Sequence, residues 1–231
     1  MSIAENIAQV RTNIAQACAQ AGRSPEEITL VGASKMNDAA ACREAIAAGI
    51  DALGENRVQE MTAKLAENAY DGAPLHFIGH LQRNKVKQVV GKVALIQSVG
   101  SLELLEEIEK VADARELVQD ILLEVNIGRE EAKSGFDPAE VAAAAETALA
   151  RPHVRVRGLM TIPPADADRD ANMRYFQEVQ ALYVDINTKL FHNELKCLSM
   201  GMSGDYMDAI RCGATMVRVG TAIFGARHYN I

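Results

Sequence analysis

Short apolar or β-branched segments alternate with helical patterns along the whole chain, and this alternation constrains the fold more than any other feature. Eight such segments are predicted strands, at residues 28–34, 51–55, 75–80, 94–99, 121–127, 154–162, 196–202 and 215–224. Amphipathic patterns lie between them, for example at residues 39–46, 102–108 and 139–146. Strict alternation predicts a parallel sheet, and eight units within 231 residues favour a closed (β/α)8 TIM barrel over an open doubly wound sheet.

The N-terminal segment, MSIAENIAQVRTNIAQACAQ, predicts a helix before the first strand. Its apolar residues are spaced around polar ones, and it lacks the continuous apolar stretch of an export signal. Neither a linker nor an internal repeat interrupts the series that follows. Residues 1–231 are therefore expected to form a single α/β domain, a barrel with one extra N-terminal helix.

Composition narrows the range of partners and locations. The net charge is −7, Trp is absent and aromatic residues make up 4%, so the chain lacks the basic or base-stacking surface that binds nucleic acid. No apolar run approaches the roughly 18 residues of a membrane span, and we expect a cytoplasmic protein without a membrane partner. The four cysteines, Cys18, Cys42, Cys197 and Cys212, lack CxxC spacing, which predicts buried thiols, no disulfide and no metal site.

Several polar residues follow predicted strands and are expected to meet at one end of the barrel. The carboxyl ends of all strands of a (β/α)8 barrel face one opening, called the mouth below. Lys35 directly follows strand one, Asn56 follows strand two, His80 closes strand three and Asn126 closes strand five. The charged loop at residues 129–135 is expected to border the same opening. In most proteins a lysine at a strand end is only a surface charge, so the role of Lys35 depends on its surroundings.

The last two strands predict an anion site beside that lysine. Strand seven ends in LSMGMSGD, where glycine permits close backbone approach and Ser203 is placed to cap the next helix. Loops after strands seven and eight commonly form a phosphate pocket in this fold, so Ser199, Gly220 and Thr221 are candidate phosphate ligands. A Gly-Thr pair alone is typical of a turn. Arg218 stands two residues before Gly220 and is therefore expected to face the same side of the strand, towards the barrel interior. An inward arginine is costly unless it has a partner, which favours an anion site here.

An amine, an anion cradle and a partner for a ring nitrogen are together what pyridoxal 5′-phosphate (PLP) requires. Seven stretches of the chain resemble, in order, those of the pyridoxal phosphate homeostasis protein family: LVGASK, GENRVQE, HFIGHLQRNK, VNIGREEAKSGF, VRGLMTIPP, LSMGMSGDYMDAI and GATMVRVGTAIFGAR. They span nearly the whole chain, and the last two are long enough to make a chance match improbable. The family's fold resembles the N-terminal barrel of alanine racemase.

The resemblance implies a role for each candidate residue. It implies that Lys35 forms the internal aldimine, that Ser199, Gly220 and Thr221 hold the phosphate, and that Arg218 faces the ring nitrogen. Asn56 is implied as a further ring contact. The chain departs from the family where it has Met36-Asn37-Asp38 after the lysine and where it has His80 instead of a frequent proline. His80 is therefore left without an assigned role.

Three functions remain open at the level of the sequence. An arginine against the pyridine nitrogen disfavours its protonation and weakens carbanion chemistry, so the leading hypothesis is a PLP-binding protein that stores or delivers the cofactor as a reversible aldimine. Its expected partners are PLP and apo PLP-dependent enzymes, it is expected to be a monomer, and no residue is assigned a catalytic role.

The two alternatives are enzymes. An amino-acid racemase needs a second base, which related racemases take from a separate β-domain; only residues 226–231 follow the last strand, and Tyr229 there is not expected to be that base. A Schiff-base aldolase that uses Lys35 with a sugar phosphate also fits the barrel and the cradle.

Overall fold

A computed structural model describes residues 1–225 of the chain. Eight parallel strands follow one another around a closed barrel, and the last strand pairs with the first. The strands are β1 (Thr29–Ala33), β2 (Ala52–Glu55), β3 (Leu75–Phe77), β4 (Leu95–Val99), β5 (Gln119–Val125), β6 (Val154–Thr161), β7 (Cys197–Ser199) and β8 (Met216–Val219). The predicted (β/α)8 barrel is thus confirmed.

Helices surround the barrel and connect its strands. Within residues 1–225 they are α1 (Ile3–Gln20), α2 (Ala39–Ala47), α3 (Val58–Ala66), α4 (Val86–Val89), α5 (Leu102–Asp113), α6 (Val141–Leu149), α7 (Arg169–Leu190), α8 (Tyr206–Arg211) and α9 (Thr221–Phe224). The extra helix α1 begins at a capping box, in which Ser2 and Glu5 bond each other's backbone N–H groups. Its buried face, Ile7, Val10 and Ile14, joins the core between strands and helices.

Side chains alternate between two buried faces along each strand, as a closed barrel requires. On β8, Val217 and Val219 belong to the large core between the strands and the helices. Met216 belongs to a smaller cluster inside the barrel, and the same alternation places Arg218 inside. The interior apolar cluster consists of Val31, Ala52, Leu95, Leu122, Met160 and Met216. The barrel interior therefore combines an apolar cluster with polar side chains from the same strands.

Several predicted strand boundaries are wrong. Residues 221–224 were predicted as strand, but β8 ends at Val219 and α9 follows, since Ile223 and Phe224 donate their N–H groups to the Gly220 carbonyl. Ile223 is buried, and an apolar run that packs against the core has the same composition in a short helix as in a strand.

The third strand is also shorter than predicted. It ends at Phe77, so His80 does not close it and instead lies exposed in the following loop. A Cβ added at Gly79 would lie 2.3 Å from the carbonyl oxygen of Asn56, which shows that the loop crosses tightly over the end of β2. β5 likewise ends at Val125, one residue before Asn126.

The remaining sequence expectations concern membranes and thiols. Within residues 1–225, no helix has the length and hydropathy of a membrane span. All four cysteines carry free thiols; three are buried, and Cys197 is half-buried.

Candidate functional site

Lys35 lies at the mouth, where the chain turns sharply away from β1. Ser34 before it is fully buried, whereas Lys35 itself is half-buried. Met36 adopts a left-handed conformation with φ of 63°, and the Asn37 side chain donates a 3.0 Å hydrogen bond to the Lys35 carbonyl. The lysine thus sits on a short, strongly bent segment between β1 and α2.

A buried cluster of charged side chains holds this bent segment through hydrogen bonds. The ammonium of Lys64 on α3 donates to the Ser34 carbonyl at 2.8 Å and to the carboxylates of Glu55 and Glu60 at 2.7 and 2.9 Å. Burial by itself would lower the pKa of Lys64, but the hydrogen bonds and charges of the two glutamates outweigh it and raise that pKa. The hydroxyls of Ser34 and Tyr70 also donate to Glu55. The cluster is therefore a connected network rather than a single ion pair.

Arg218 crosses the barrel interior below the mouth. Its guanidinium donates to the Ser199 hydroxyl at 2.6 Å and to the Thr161 carbonyl at 2.9 Å. Complete burial lowers the pKa of Arg218 to about 10, although the charges of Glu124 and Asp205 oppose the shift. The side chain is consequently still a cation at neutral pH, and its orientation is fixed from β6 and β7.

The polar chain continues beyond Ser199 to the opposite wall. The Ser199 hydroxyl donates to the Gln97 side-chain oxygen at 2.7 Å, and the Gln97 amide lies 3.0 Å from His76 Nδ1. Because an amide N–H only donates, Nδ1 must accept, which fixes His76 as neutral with its proton on Nε2. Burial lowers the pKa of His76 to about 4, in agreement with that state. Arg218, Ser199, Gln97 and His76 thus form one directional chain of donors and acceptors.

The predicted anion cradle has Ser203 at its centre. The Ser203 hydroxyl accepts the backbone N–H groups of Gly220 at 3.1 Å and Ala222 at 3.4 Å. The prediction that Ser203 caps the next helix is wrong, because α8 begins after Asp205. Gly201 permits this loop to pack closely, since it has φ of 92° and a Cβ there would lie 2.6 Å from the Ala209 Cβ. Two amides and one hydroxyl therefore converge at the end of β8.

Of the predicted phosphate ligands, Gly220 and Thr221 lie together at the mouth, whereas Ser199 lies apart from them. Thr221 is exposed at the mouth directly after Gly220, beside Ser203. The Ser199 hydroxyl, in contrast, is fully buried and already bonded to both Gln97 and Arg218. Ser199 is thus placed below the cradle, where it orients Arg218.

Asn56 carries a polar atom that fits a bound group. Its side-chain oxygen is buried and has no hydrogen-bond partner among the described residues. Buried acceptors normally find a donor, and this oxygen is therefore available to accept a hydrogen bond from a group bound at the mouth. Asn56 follows β2, whose neighbour β1 carries Lys35, and the two residues therefore leave adjacent strands.

The far side of the mouth is built by β5 and its loop. Glu124 is buried there, accepts a 3.1 Å hydrogen bond from Ser134, and has its pKa raised by burial. Ser134 and Lys133 line a groove of about 600 Å³ together with His80. The loop at residues 129–135 therefore borders the mouth, as predicted. Asn126 fixes the first residues of this loop, because the Asn126 side chain forms hydrogen bonds with both the N–H and the carbonyl of Glu130.

Two further expectations bear on the site. Tyr229 and the rest of residues 226–231 lie outside the described residues. Among residues 1–225, no three or more His, Cys, Asp or Glu side chains lie together in a group that could hold a metal ion.

Sequence reasoning assigned no role to Lys64, Gln97 or His76, and it gave Ser203 a capping role instead of a place in the cradle. Period-two alternation from Leu95 on β4 places Gln97 inside the barrel and would have indicated it. Lys64 lies four residues after Glu60, a spacing that is typical of exposed helix pairs and gave no signal of burial.

The fold and the site define a class of protein. A sequence model described as the alanine racemase N-terminal domain matches residues 6–228, which places the chain among barrels of this type. More narrowly, the chain belongs to the pyridoxal phosphate homeostasis protein family. It is 42% identical over 229 residues to the pyridoxal phosphate homeostasis protein of Aquifex aeolicus, and the match covers 99% of this chain and 100% of that protein.

Solved structures are similar to this chain in the same way, in sequence and in fold. PipY of Synechococcus elongatus, solved with PLP bound, is 33% identical, with a TM-score of 0.85 and coverage of 97% of this chain and 100% of PipY. Alanine racemase of Clostridium difficile has a TM-score of 0.73 at 18% identity, and the match covers 99% of this chain but 58% of that one. The racemase likeness therefore shows a shared barrel fold.

Proposed function

We propose that this protein binds PLP reversibly at the barrel mouth through the amine of Lys35, and that it serves intracellular PLP homeostasis by storing or delivering the cofactor. The observation that carries the proposal is the pairing of β1 with β8. Gly32 pairs with Val219, so Lys35 and the Gly220 amide leave neighbouring strands and reach the same side of the mouth. A covalent attachment point and an anion cradle are thereby adjacent.

The residues present fit this cofactor. When bound, PLP supplies an aldehyde that an amine attacks and a phosphate that hydrogen-bond donors hold. Lys35 is the proposed attachment point. Gly220 and Thr221 hold the phosphate with Ser203, whose hydroxyl is already bonded to the Gly220 and Ala222 amides.

The other proposed contacts lie below and beside the cradle. Arg218 faces the pyridine nitrogen, and Ser199 contributes by fixing Arg218, since its hydroxyl has to leave Gln97 or Arg218 to contact a phosphate directly. Asn56 contacts the ring through the side-chain oxygen that has no partner among the described residues.

The charge of Arg218 supports a binding role over catalysis. A permanent cation against the pyridine nitrogen disfavours protonation of that nitrogen, and an unprotonated ring withdraws electrons from a substrate less effectively. Arg218 keeps its charge at neutral pH even though burial lowers its pKa to about 10. The named relatives are homeostasis proteins, which is in keeping with this role. We therefore propose a protein without turnover of amino acids.

The proposal extends to the domain organisation, oligomeric state, location and partners of the protein. We propose that residues 1–231 act as one domain and as a monomer in the cytoplasm, and that apo PLP-dependent enzymes receive the cofactor. Transfer to an apo-enzyme, measured with and without a trap for free PLP, separates direct handover from release. Transfer that persists in the presence of the trap supports contact between the two proteins, and transfer that stops excludes it.

Reduction and mass spectrometry test the central claim. Protein incubated with PLP and treated with borohydride is expected to carry one adduct with the mass of reduced PLP, on the peptide that contains Lys35. Lys35→Ala should abolish the adduct, whereas Lys110→Ala, at a side chain 75% exposed, should leave it unchanged. An adduct that persists in Lys35→Ala, or D/L interconversion of amino acids that depends on Lys35, would overturn the proposal.

A further inference from the structure

The two peptide units that flank Lys35 are both held by the same buried ion cluster. The carbonyl of Ser34, which belongs to the peptide unit before Lys35, accepts a 2.8 Å hydrogen bond from the ammonium of Lys64. The N–H of Met36, which belongs to the peptide unit after Lys35, donates to the carboxylate of Glu60. That carboxylate is itself 2.9 Å from the Lys64 ammonium. One buried cation therefore fixes the backbone on both sides of Lys35.

The cluster is poorly explained by stability alone. The Lys64 side chain is 6% exposed and the Glu55 side chain is 0% exposed, so both charges have lost their water. Buried ion pairs seldom exceed the stability of well-packed apolar residues of the same volume, because desolvation offsets the attraction between the charges. Attraction between the charges is therefore a weak reason for burying Lys64, whereas its hydrogen bond to the Ser34 carbonyl fixes the geometry of the segment that carries Lys35.

The strained backbone of Met36 is a second observation that indicates a requirement for exact geometry around Lys35. Its φ of 63° is unfavourable for a residue with an extended side chain, and such a conformation persists only where the surroundings impose it. The hydrogen bond from its N–H to Glu60 is one such restraint. Without that restraint, the segment that carries Lys35 would be free to relax to an ordinary turn.

The charges of the cluster also act on the lysine that it supports. Lys64 contributes one positive charge, and Glu55 and Glu60 contribute two negative charges, which leaves a net charge of −1 in the cluster that bonds the Ser34 carbonyl and the Met36 N–H. Tyr70 and Cys42 also lie in these surroundings; burial raises their pKa values, so both are neutral near pH 7, and the carboxyl group of Asp38 is a further acidic neighbour. Removal of Lys64 alone would change the net charge of the cluster to −2.

We propose that Lys64 is the positioning residue of Lys35. It fixes both peptide units of Lys35 through Ser34 and Glu60, and it balances the carboxylates that hold this segment, so that Lys35 is presented to the mouth in one position and in a reactive protonation state. This inference rests on the proposed attachment of PLP to Lys35, and it assigns a second lysine, remote from the cofactor, to that same site.

The test compares four variants with the wild type. Lys64→Met removes the ammonium at similar length. Lys64→Met with Glu55→Gln removes the buried charge pair and restores a net charge of −1. Glu60→Gln removes one carboxylate at a position that is 21% exposed, and Lys110→Met is the matched control at a lysine that is 75% exposed. Circular dichroism checks that each variant is folded.

Two readouts separate position from charge. The first is the rate of PLP binding, followed by the absorbance of the bound cofactor. We expect Lys64→Met to slow it about tenfold or more, because the amine no longer occupies one position. The Glu55→Gln double variant should stay slow, since it restores charge and not geometry. Lys110→Met should match the wild type.

The second readout needs no cofactor. Trace labelling with acetic anhydride, quantified by mass spectrometry on the Lys35 peptide, gives the pH at which the amine reaches half of its full reactivity. We expect Lys64→Met to raise this pH by about one unit, the double variant to return it towards the wild-type value, and Glu60→Gln to lower it. A role in folding alone would leave this pH unchanged.

The outcomes distinguish the two proposals. Equal binding rates and equal labelling profiles in the wild type and in folded Lys64→Met would overturn the positioning role and leave the proposed function intact. If Lys64→Met does not fold, the binding rate of the double variant and the labelling profile of Glu60→Gln carry the same comparison, and wild-type values of both would overturn the positioning role. Absence of a reduced adduct on wild-type Lys35 would instead overturn the proposed function, whatever the labelling shows.

Discussion

Arg218 donates a 2.6 Å hydrogen bond to the hydroxyl of Ser199, and that hydroxyl donates in turn to Gln97. A fully buried cation is therefore oriented by a neutral serine on the neighbouring strand β7. The serine hydroxyl acts as acceptor on one side and as donor on the other, so each of its two bonds determines the direction of the other. This relationship makes Ser199 a structural part of the site even if it never contacts a ligand.

Ser199→Ala is expected to lower the free energy of unfolding by about 2 kcal/mol, because it leaves a buried guanidinium N–H and the Gln97 oxygen without this partner. Urea unfolding measures the change. Ser98→Ala is the matched control: Ser98 is 3% exposed on β4, and its hydroxyl has no partner among residues 1–225, so its loss should leave stability unchanged or slightly raised. Equal losses in the two variants would contradict the prediction.

The buried imidazole of His76 predicts a dependence of stability on pH. Its folded-state pKa of about 4 lies below the usual 6.5, so the unfolded chain binds the proton more tightly. The stabilisation is complete above pH 6.5 and is lost as the pH falls towards 4, by about 3 kcal/mol in total. Unfolding free energies at pH 7, 6 and 5 should therefore fall more steeply in the wild type than in His76→Gln.

Carboxylates also titrate in part of this range, so the comparison with the variant isolates the histidine. His192→Asn is the control, since His192 is exposed and its left-handed backbone conformation is one that asparagine tolerates. It should retain the wild-type slope. A His76→Gln protein with the same slope as the wild type would show that His76 does not cause the dependence.

Asn56→Ala is expected to weaken PLP binding about tenfold without loss of stability. The Asn56 oxygen is buried with no partner among the described residues, so its removal costs the unliganded protein little. Asn126→Ala is the comparison variant and is expected to affect stability, because the Asn126 side chain forms hydrogen bonds with both the N–H and the carbonyl of Glu130. Its loss should lower the free energy of unfolding by about 1 kcal/mol. Absorbance titration and urea unfolding on both variants provide the comparison.

Ser203→Ala tests the anion cradle. The Ser203 hydroxyl holds the Gly220 and Ala222 amides in one orientation, and its loss should weaken binding of PLP by about tenfold. Pyridoxal, which lacks the phosphate, should bind the variant and the wild type equally. Ser24→Ala, at an exposed and remote serine, serves as the control. If pyridoxal and PLP lost affinity to the same extent, Ser203 would not belong to a phosphate site.

Much of the fold was predictable, because it depends on patterns that are local in sequence. Eight apolar segments separated by amphipathic helices are sufficient to indicate the barrel, and the positions of Lys35 and Gly220 at strand ends follow from it. Errors occurred where local pattern is ambiguous. The run 221–224 is apolar in a helix as it would be in a strand, and β3 ends at Phe77, before the loop in which Gly79 packs closely against Asn56.

The site was predictable only in part. Lys35 and Arg218 stand out because a charge at the end of, or within, an apolar segment is unusual. Lys64 does not stand out, because a lysine four residues after a glutamate is common on exposed helices. Its burial, and its bond to the Ser34 carbonyl 30 residues away, exist only once α3 packs against β1 and β2.

The sequence by itself therefore determined the barrel, the family and the identity of the lysine at the mouth, since these depend on residue order and short-range periodicity. The tertiary structure alone decided which polar groups share a partner. It joined Arg218 to Ser199 and then to Gln97 and His76, it placed Ser203 against the β8 amides, and it placed Lys64 beneath Lys35. The physical reason is that hydrogen bonds are short and directional, so partners distant in sequence are set by strand register and helix packing.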